Sequence, residues 1–458
     1  MTRKRKALTR RRVVLSASAA IATLSVPAVV RAAGTPAKRK NIDSLNAPEL
    51  DAYKHAIQIA KSRSSANPDD PTGYDYWAGL HDNFDESVHS GCAHYSEKFF
   101  PWHRRYLFDF ERLLQQTDPP VTAGVMIPYW DWSQPPQGGG HFPQAFVDSS
   151  SPLFDRRLTK TPPPWNPAEV LSMVQEPDWN VFAGKPDPSN GFGTSPGTVE
   201  SGPHNTLHTN ISRDMASPPT AVRDPIFWSF HAGIDLVWAR WQRLHVPQGT
   251  TQSFSDGAAI LWFRDRSYTV VSTANTGDFG YEYDFDFSGD GPAAGPPGPA
   301  LAARVAAPGI TSAPRRTLTL KSVAADHDIT AQTPAPGSLG NSALLRLGGV
   351  KIFHDKSYRL VLYLHPNDVK LSSLSSQSRD QYRMRVLTLW QAHHDLEVEL
   401  FVRPTPEQLA RLNQGWTLTV QSELAVAEEG PEPTATAAQR GALPATSGLV
   451  KTLEIQER

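Results

Sequence analysis

Two groups of three histidines hold the chemistry this sequence offers: His81, His94 and His103, then His204, His208 and His231. Each falls among aromatic, amphipathic stretches that read as helices. Neutral imidazole binds copper, zinc and iron, and six imidazoles with no thiolate or carboxylate ligand favour copper over the hard cations. The pattern reads as two metal sites built to face each other. A pair of coppers in such sites can pass two electrons to dioxygen together.

Spacing alone decides little, because with 15 histidines in 458 residues any given spacing recurs by chance about half a time. Context decides more. His204 and His208 are four residues apart and project from one helical face, where two imidazoles can share an ion. His103 shares a stripe with Leu107, Phe110 and Leu114, so its ring points inward with core residues. His231 follows Asp224-Pro225, an N-cap and a first-turn proline, and has Ile234, Asp235 and Trp238 on its own face. Asp235, one turn on, is expected to orient a histidine of the site from behind. Any one of these residues alone reads as readily as a buried, hydrogen-bonded histidine; the six together do not.

The motifs around them resemble those of a known family. They are Phe99-Phe100-Pro101-Trp102-His103-Arg104-Arg105-Tyr106-Leu107 with Phe110-Glu111, Pro128-Tyr129-Trp130-Asp131-Trp132, Pro203-His204-Asn205-Thr206-Leu207-His208, and Arg223-Asp224-Pro225-Ile226-Phe227-Trp228 through His231 to Asp235 and Trp238. Together they resemble the common central domain of tyrosinases, catechol oxidases and molluscan haemocyanins, the coupled binuclear copper proteins. The likeness covers roughly residues 45 to 287. It implies two copper ions, the first on His81, His94 and His103 and the second on His204, His208 and His231. His81 is taken over His89 because Tyr74 to Asp82 reads as the family's first ligand helix, while His89 lies in a polar stretch beside Ser90-Gly91. Where the family often has two consecutive histidines, this chain has Phe230-His231, and the ligand position is kept.

Three further features follow from the resemblance. The single cysteine stands in Cys92-Ala93-His94, the spacing that in fungal tyrosinases and molluscan haemocyanins carries a thioether to the ligand imidazole; a buried thiol acting as a small hydrophobe is the alternative. Glu200 and Asn205 resemble the family's water-holding acid and its amide partner, which implies general base work on a phenol proton; Glu200 could instead satisfy backbone groups in its Gly/Pro-rich loop. The family's bulky gate is missing near Ser217-Pro218-Pro219, so the copper cleft is expected to be more open.

The implied activity is oxidation of o-diphenols to o-quinones with reduction of dioxygen to water, and hydroxylation of monophenols where Glu200 and Asn205 act. Its partners would be small phenols and dioxygen. The rival readings are an oxygen carrier of the haemocyanin kind, which uses the same constellation with a shielded cleft, and a dinuclear zinc hydrolase on the same ligands.

The elements that must position these residues form a mainly α central domain, a four-helix bundle with long loops, over residues 34–287. Gly280-Tyr281-Glu282-Tyr283-Asp284 resembles the tyrosine motif that closes it. Residues 288–315, rich in Gly, Pro and Ala, read as a linker. From Thr317 short alternating runs, as at 318–323, 358–364 and 396–402, predict an all-β sandwich over 316–458, with a loop at about 427–446 and a last strand near 450–455. This part resembles, more weakly, the C-terminal β domain of plant and bacterial polyphenol oxidases, which can cover the copper cleft. His393-His394 within it lacks a third partner and reads as structural.

Residues 1–33 show Arg10-Arg11-Arg12 ahead of an Ala/Ser/Val run and small residues at Ala32-Ala33, the pattern of a twin-arginine signal peptide. The implied route is the twin-arginine export machinery, to the periplasm or outside the cell. Pro27 and the many Ala and Ser residues make the run a poor permanent membrane span. Its removal takes away eight Lys/Arg and no acid, moving the formal charge from -1 to about -9. So acidic a chain is a poor nucleic-acid partner.

Overall fold

The computed structural model describes residues 36–82, 92–157, 165–186, 193, 195–263, 266–295 and most of 316–424 and 444–457. The expected signal peptide, His89, most of the expected linker and His393-His394 lie outside the described residues. No described helix is long and apolar enough to cross a membrane.

The helical half begins with a short strand, β1 (Ala37–Arg39), followed by helix α1 (Ala47–Ala66). Asn46 starts α1 with a reciprocal cap: its side chain accepts from the Glu49 amide, and the Glu49 carboxylate accepts from the Asn46 amide, each at 3.0 Å. Helix α2 (Tyr74–Asp82) and helix α3 (Phe99–Gln115) follow. The stripe expected on α3 is present, with Leu107, Phe110 and Leu114 wholly buried beside His103. Short helices α4 (Pro119–Thr122), α5 (Pro167–Val174) and α6 (Trp179–Phe182) punctuate the loops.

Helix α7 (Asn205–Ile211) and helix α8 (Ile226–His245) complete this half. Helix α8 is buried almost all round as far as Trp241, which makes it the central helix of the bundle. It starts at Ile226, one residue later than the sequence suggests, with Pro225 in the cap position and the Ile226 amide donating to the Asp224 carboxylate at 3.0 Å. Phe110 of α3 stacks on Trp228 of α8 with ring centres 3.6 Å apart. Gly233 lets the 130–132 segment lie directly on α8, since a Cβ there would come within 2.4 Å of the Trp130 carbonyl oxygen.

One buried ionic cluster holds this arrangement. The Asp235 carboxylate of α8 accepts from Arg104 Nε of α3 at 2.6 Å and from the hydroxyls of Tyr281 and Tyr283 at 2.5 and 2.6 Å. Arg39 of β1 adds a contact to Asp235 at 3.3 Å and one to Glu111 of α3 at 2.9 Å. The tyrosines come from a hairpin-and-strand segment, β2 (Ile260–Phe263), β3 (Arg266–Thr269) and β4 (Tyr281–Tyr283), in which β4 pairs in parallel with β1. The expectation that Asp235 orients a histidine is therefore corrected. Its side chain turns to two arginines and two tyrosines, because a carboxylate buried this deeply is stabilised by cations and hydroxyl donors, and these four groups converge on it.

The second half is two packed sheets. Strands β5 (Arg316–Thr319), β6 (Ser322–Ala325), β7 (Asp328–Gln332), β8 (Ala343–Ile352), β9 (Tyr358–His365), β10 (Arg383–Leu389), β11 (Leu396–Val402), β12 (Thr417–Leu424) and β13 (Thr452–Glu457) order as β10-β9-β12-β7-β6 and β11-β8-β13-β5. Every pairing within them is antiparallel. The run read from the sequence as one strand at 318–323 is two, because the chain changes sheet after Leu320. Leu345, Leu347, Leu360, Leu362, Leu400, Leu418 and Ile455 fill the space between the sheets.

The halves form one compact unit over residues 37–458. Arg385 of β10 is buried against Glu169 of α5 at 3.1 Å and over the Trp165 ring at 5.1 Å. Arg403 pairs with Glu176 at 2.8 Å, and Tyr95 of the helical half packs into the sheet core.

Replacing Asp235 by alanine leaves the buried Arg104 guanidinium without its carboxylate, so unfolding free energy measured by chemical denaturation should drop by about 3–5 kcal/mol. A change below 1 kcal/mol would show that the cluster does not brace the bundle.

Candidate metal centre

The six histidines converge. Ring centres within the first group lie 5.9 Å (His81 to His94), 5.7 Å (His81 to His103) and 5.3 Å (His94 to His103) apart. Within the second they lie 4.5 Å (His204 to His208), 5.0 Å (His204 to His231) and 5.4 Å (His208 to His231) apart. The groups also face each other, with His103 against His231 at 4.6 Å and His94 against His204 at 5.5 Å. All six rings are at most 2% exposed.

Local structure explains each placement. His81 ends α2, His103 sits in the first turns of α3, and His231 lies in α8. His204 closes a π-helical turn, Glu200–His204, kinked at Gly202 and followed directly by α7, which carries His208. The kink brings Gly202 under Trp165, where a Cβ would come within 2.9 Å of the indole. His94 departs from the helical expectation. It stands on extended backbone, held where its carbonyl accepts from the Gly193 amide at 2.8 Å, and Tyr95 after it takes a positive φ of 55°. The aromatic surroundings of His94 are packing partners from α3 and not a helix of its own.

Hydrogen bonds fix the ring protons. His81 Nδ1 lies 2.9 Å from the Pro218 carbonyl oxygen, His103 Nδ1 2.8 Å from that of Phe99, and His208 Nδ1 2.8 Å from that of Met215. His94 Nδ1 lies 2.8 Å from Glu200 Oε1, and His204 Nδ1 2.8 Å from Asn205 Oδ1. Carbonyl oxygens only accept, and so does an ionised carboxylate, so with Glu200 ionised the proton stays on Nδ1 in these five rings and the Nε2 lone pair is left for a Lewis acid. His231 is placed by stacking, on Phe227 at 4.0 Å. His208 Nε2 and His231 Nε2 stand 3.2 Å apart.

The ligating atoms of His204, His208 and His231 lie within 4.8 Å of one another, and so do those of His81, His94 and Cys92. The buried Nε2 atoms of His81 and His103 have no hydrogen-bond partner among the described residues. Orphaned lone pairs in a dry interior, on neutral nitrogen donors in two groups of three, fit a pair of borderline metal ions. The sequence placed Cys92 beside His94; the structure adds its closeness to His81.

Burial, first of all, pushes every one of the six pKa values down, His81 to about 4 and His208 to about 3, and the neighbouring imidazoles add to the effect at His94, His103, His204 and His231. Burial pushes the Glu200 carboxyl well up, against the lowering pull of the Tyr95 amide. Glu200 Oε1 and Oε2 both accept from that amide, at 2.8 and 2.9 Å. Asn205 Nδ2 donates to the Thr388 carbonyl of β10 at 2.9 Å. The sequence did not signal Thr388, the Pro218 and Met215 carbonyls, or the Glu200 to His94 bond. Backbone acceptors leave no trace in residue type, and Thr388 arrives from the other half of the chain.

The missing bulk at 217–219 does not open the cleft as expected. The Pro218 carbonyl turns in to hold His81, and β10 lies against the segment that carries Glu200 and His204.

A mainly helical unit that faces two three-imidazole groups across its core, joined to an antiparallel sandwich, could hold two metal ions side by side. Comparison with known proteins places it. The common central domain of tyrosinase matches residues 71–164 and 153–244. The tyrosinase of Streptomyces lincolnensis is 30% identical over 241 residues, 45% of this chain and 83% of the relative. The tyrosinase HcTyr1 of Hahella sp. is 30% identical over 255 residues, 44% of this chain and 53% of the relative, and the latent polyphenol oxidase of Prunus armeniaca 32% over 188 residues, 33% and 30%. The chain thus spans about half the length of the Hahella relative and under a third of the Prunus one. Latent apple tyrosinase shares the fold across both halves, with a TM-score of 0.61 over 93% of this chain and 97% of that one at 18% identity. This chain belongs to the tyrosinase family.

The histidine shifts set a pH dependence. In the unfolded chain these rings gain protons near the ordinary value of 6.5, whereas the folded chain keeps them neutral to lower pH, so the unfolded state binds more protons between. Stability is therefore present above pH 6.5 and is lost as pH falls towards 4; Glu200, held up by burial, opposes this as one carboxyl against six imidazoles. The metal-free chain should show a falling Tm across that window, and a Tm that rises on acidification would contradict the assigned ring states.

Proposed function

We propose that this chain is a copper-dependent polyphenol oxidase that converts two o-diphenols to two o-quinones while one dioxygen is reduced to two waters. Support comes from the relatives that are tyrosinases and polyphenol oxidases. The observation that carries the reading is the set of five Nδ1 protons fixed on oxygen acceptors, which aims the opposite nitrogens of both triads at shared space. His81, His94 and His103 would hold one copper ion, and His204, His208 and His231 the other. Bound there, the pair supplies two-electron exchange with dioxygen.

The chain's own residues set what enters and where protons go. The dry walls of Phe99, Phe227 and Phe230 around the rings suit a flat aromatic substrate and exclude water. Glu200 Oε1 is committed to His94, and Oε2 has only a shared amide proton from Tyr95, so Oε2 is the atom that takes a phenol proton, directly or through a water. Burial raises the proton affinity of that carboxyl, so once ionised it holds an accepted proton firmly. Both ends of the Asn205 amide are already engaged, which makes the acid the active member of the Glu200/Asn205 pair. Monophenol hydroxylation is assigned to this proton transfer. Cys92, whose sulfur lies beside His94, is the partner for a thioether formed by loss of one hydrogen from the thiol and one from the imidazole carbon, with dioxygen as the acceptor and hydrogen peroxide as product.

One observation favours an oxygen carrier instead: the triads are covered. We retain the oxidase reading, with export by the twin-arginine route proposed from residues 1–33 alone.

Copper-loaded protein mixed with 4-methylcatechol should form quinone, more readily after limited proteolysis, and should analyse for copper over zinc. No turnover in either state would leave the carrier, and zinc alone in active protein would leave the hydrolase. Glu200→Gln should reduce tyrosine hydroxylation by roughly 10²–10⁴-fold and catechol oxidation far less; unchanged hydroxylation would remove the proton-accepting role. The peptide holding Cys92 and His94 should weigh two hydrogens less than its sequence requires after copper loading in air, and a full-weight peptide with an alkylatable thiol would show that no thioether forms.

A further inference from the structure

We infer that Thr388, on strand β10 of the C-terminal sandwich, is a positioning residue of the second triad: its backbone carbonyl fixes the Asn205 amide and through it the proton on His204. The inference rests on the reading of His204 as a ligand.

The Asn205 side chain links that carbonyl to the ring, and it has two unlike ends. Its Nδ2 gives a hydrogen bond to Thr388 O at 2.9 Å, and its Oδ1 lies 2.8 Å from His204 Nδ1. Turned over, the amide would set oxygen against carbonyl oxygen and NH₂ against the imidazole nitrogen. A carbonyl cannot donate, so it accepts only the orientation seen. With Oδ1 facing the ring, the imidazole proton must sit on Nδ1 and the lone pair on Nε2. His81, His103 and His208 get this instruction from carbonyls of the helical half itself. His204 alone receives it from the other half of the chain.

The carbonyl is held in place by its own residue. Thr388 Oγ1 pairs with Thr206 Oγ1 at 2.8 Å, both threonines are at most 1% exposed, and Thr206 follows Asn205 directly. Three residues back, Arg385 seats the same strand against Glu169 and Trp165. The sandwich is therefore part of the metal environment as well as a cover for it.

The experiment uses the full chain with ¹⁵N-labelled histidine, in the metal-free state, with the His204 signals assigned by their absence from a His204→Gln chain. Wild type should show His204 as the Nδ1–H tautomer. Thr388→Val and Thr206→Val each strand the opposite hydroxyl in a dry contact and should admit the Nε2–H tautomer. Each should also weaken the second copper roughly tenfold in competition with a chelator, the scale of losing an outer hydrogen-bond partner. Thr388→Ser, which keeps the hydroxyl, and the Thr206→Val/Thr388→Val double variant, which removes both polar groups and restores an apolar fit, should return both readouts to wild type. The two single variants approach one contact from opposite halves, so a folding failure in one leaves the other to decide. Unchanged tautomer and affinity in the single variants would overturn the inference. A wild type that takes up no copper would sink the oxidase reading, while the tautomer measured without metal would still decide this one.

Discussion

Asp235 is the constraint on which the rest depends. It sits one turn beyond His231 on the central helix and grips Arg104, the residue directly after His103, so a single carboxylate sets the register of the two helices that bring the triads face to face. Two charges of one sign in so dry a place need carboxylates beside them, and Asp235 is the one both share. Arg104 and Arg39 both lie within its reach, and two tyrosine hydroxyls complete its shell. Its pKa is lowered despite burial, which opposes ionisation most, because the two guanidinium groups and then the tyrosines outweigh desolvation. A slip of α3 along α8 would break this cluster before it separated the rings.

Around that brace the molecule solves a second problem, how to keep six imidazoles neutral and aimed. The solution differs from ring to ring. Three use main-chain carbonyls, one a carboxylate, one an amide, and one aromatic stacking. Main-chain acceptors tie the aim of a ring to the shape of a loop. Side-chain acceptors tie it to groups that carry their own charge or polarity, as the Glu200 carboxyl does behind His94.

Much of this was legible in residue order. The α3 stripe, the close pair His204 and His208, the switch to alternating strands after residue 316 and the nearness of Cys92 to His94 all follow from period and spacing, which are properties of neighbouring residues. Asp235 was misread for the same reason: its spacing from His231 is helical, but its partners come from positions 39, 104, 281 and 283, and no local pattern announces them. The helical expectation for His94 rests on the aromatic residues that follow it in the chain, Tyr95, Phe99 and Phe100. Its extended backbone is imposed by Gly193 and Glu200, about a hundred residues away. The expectation of an open cleft failed because it counted side-chain bulk at 217–219 and could not count a strand arriving from residue 383 onward.

Among the described residues, strand β10 lies at the rim of its five-stranded sheet, with β9 on one side only. A rim strand with bare amides and carbonyls is a template on which foreign chains can grow. Here the helical half occupies that rim, taking the Thr388 carbonyl for Asn205. Prising the two halves apart would thus uncover a sticky border at the same moment as it bared the histidines, and solubility would be traded for their exposure.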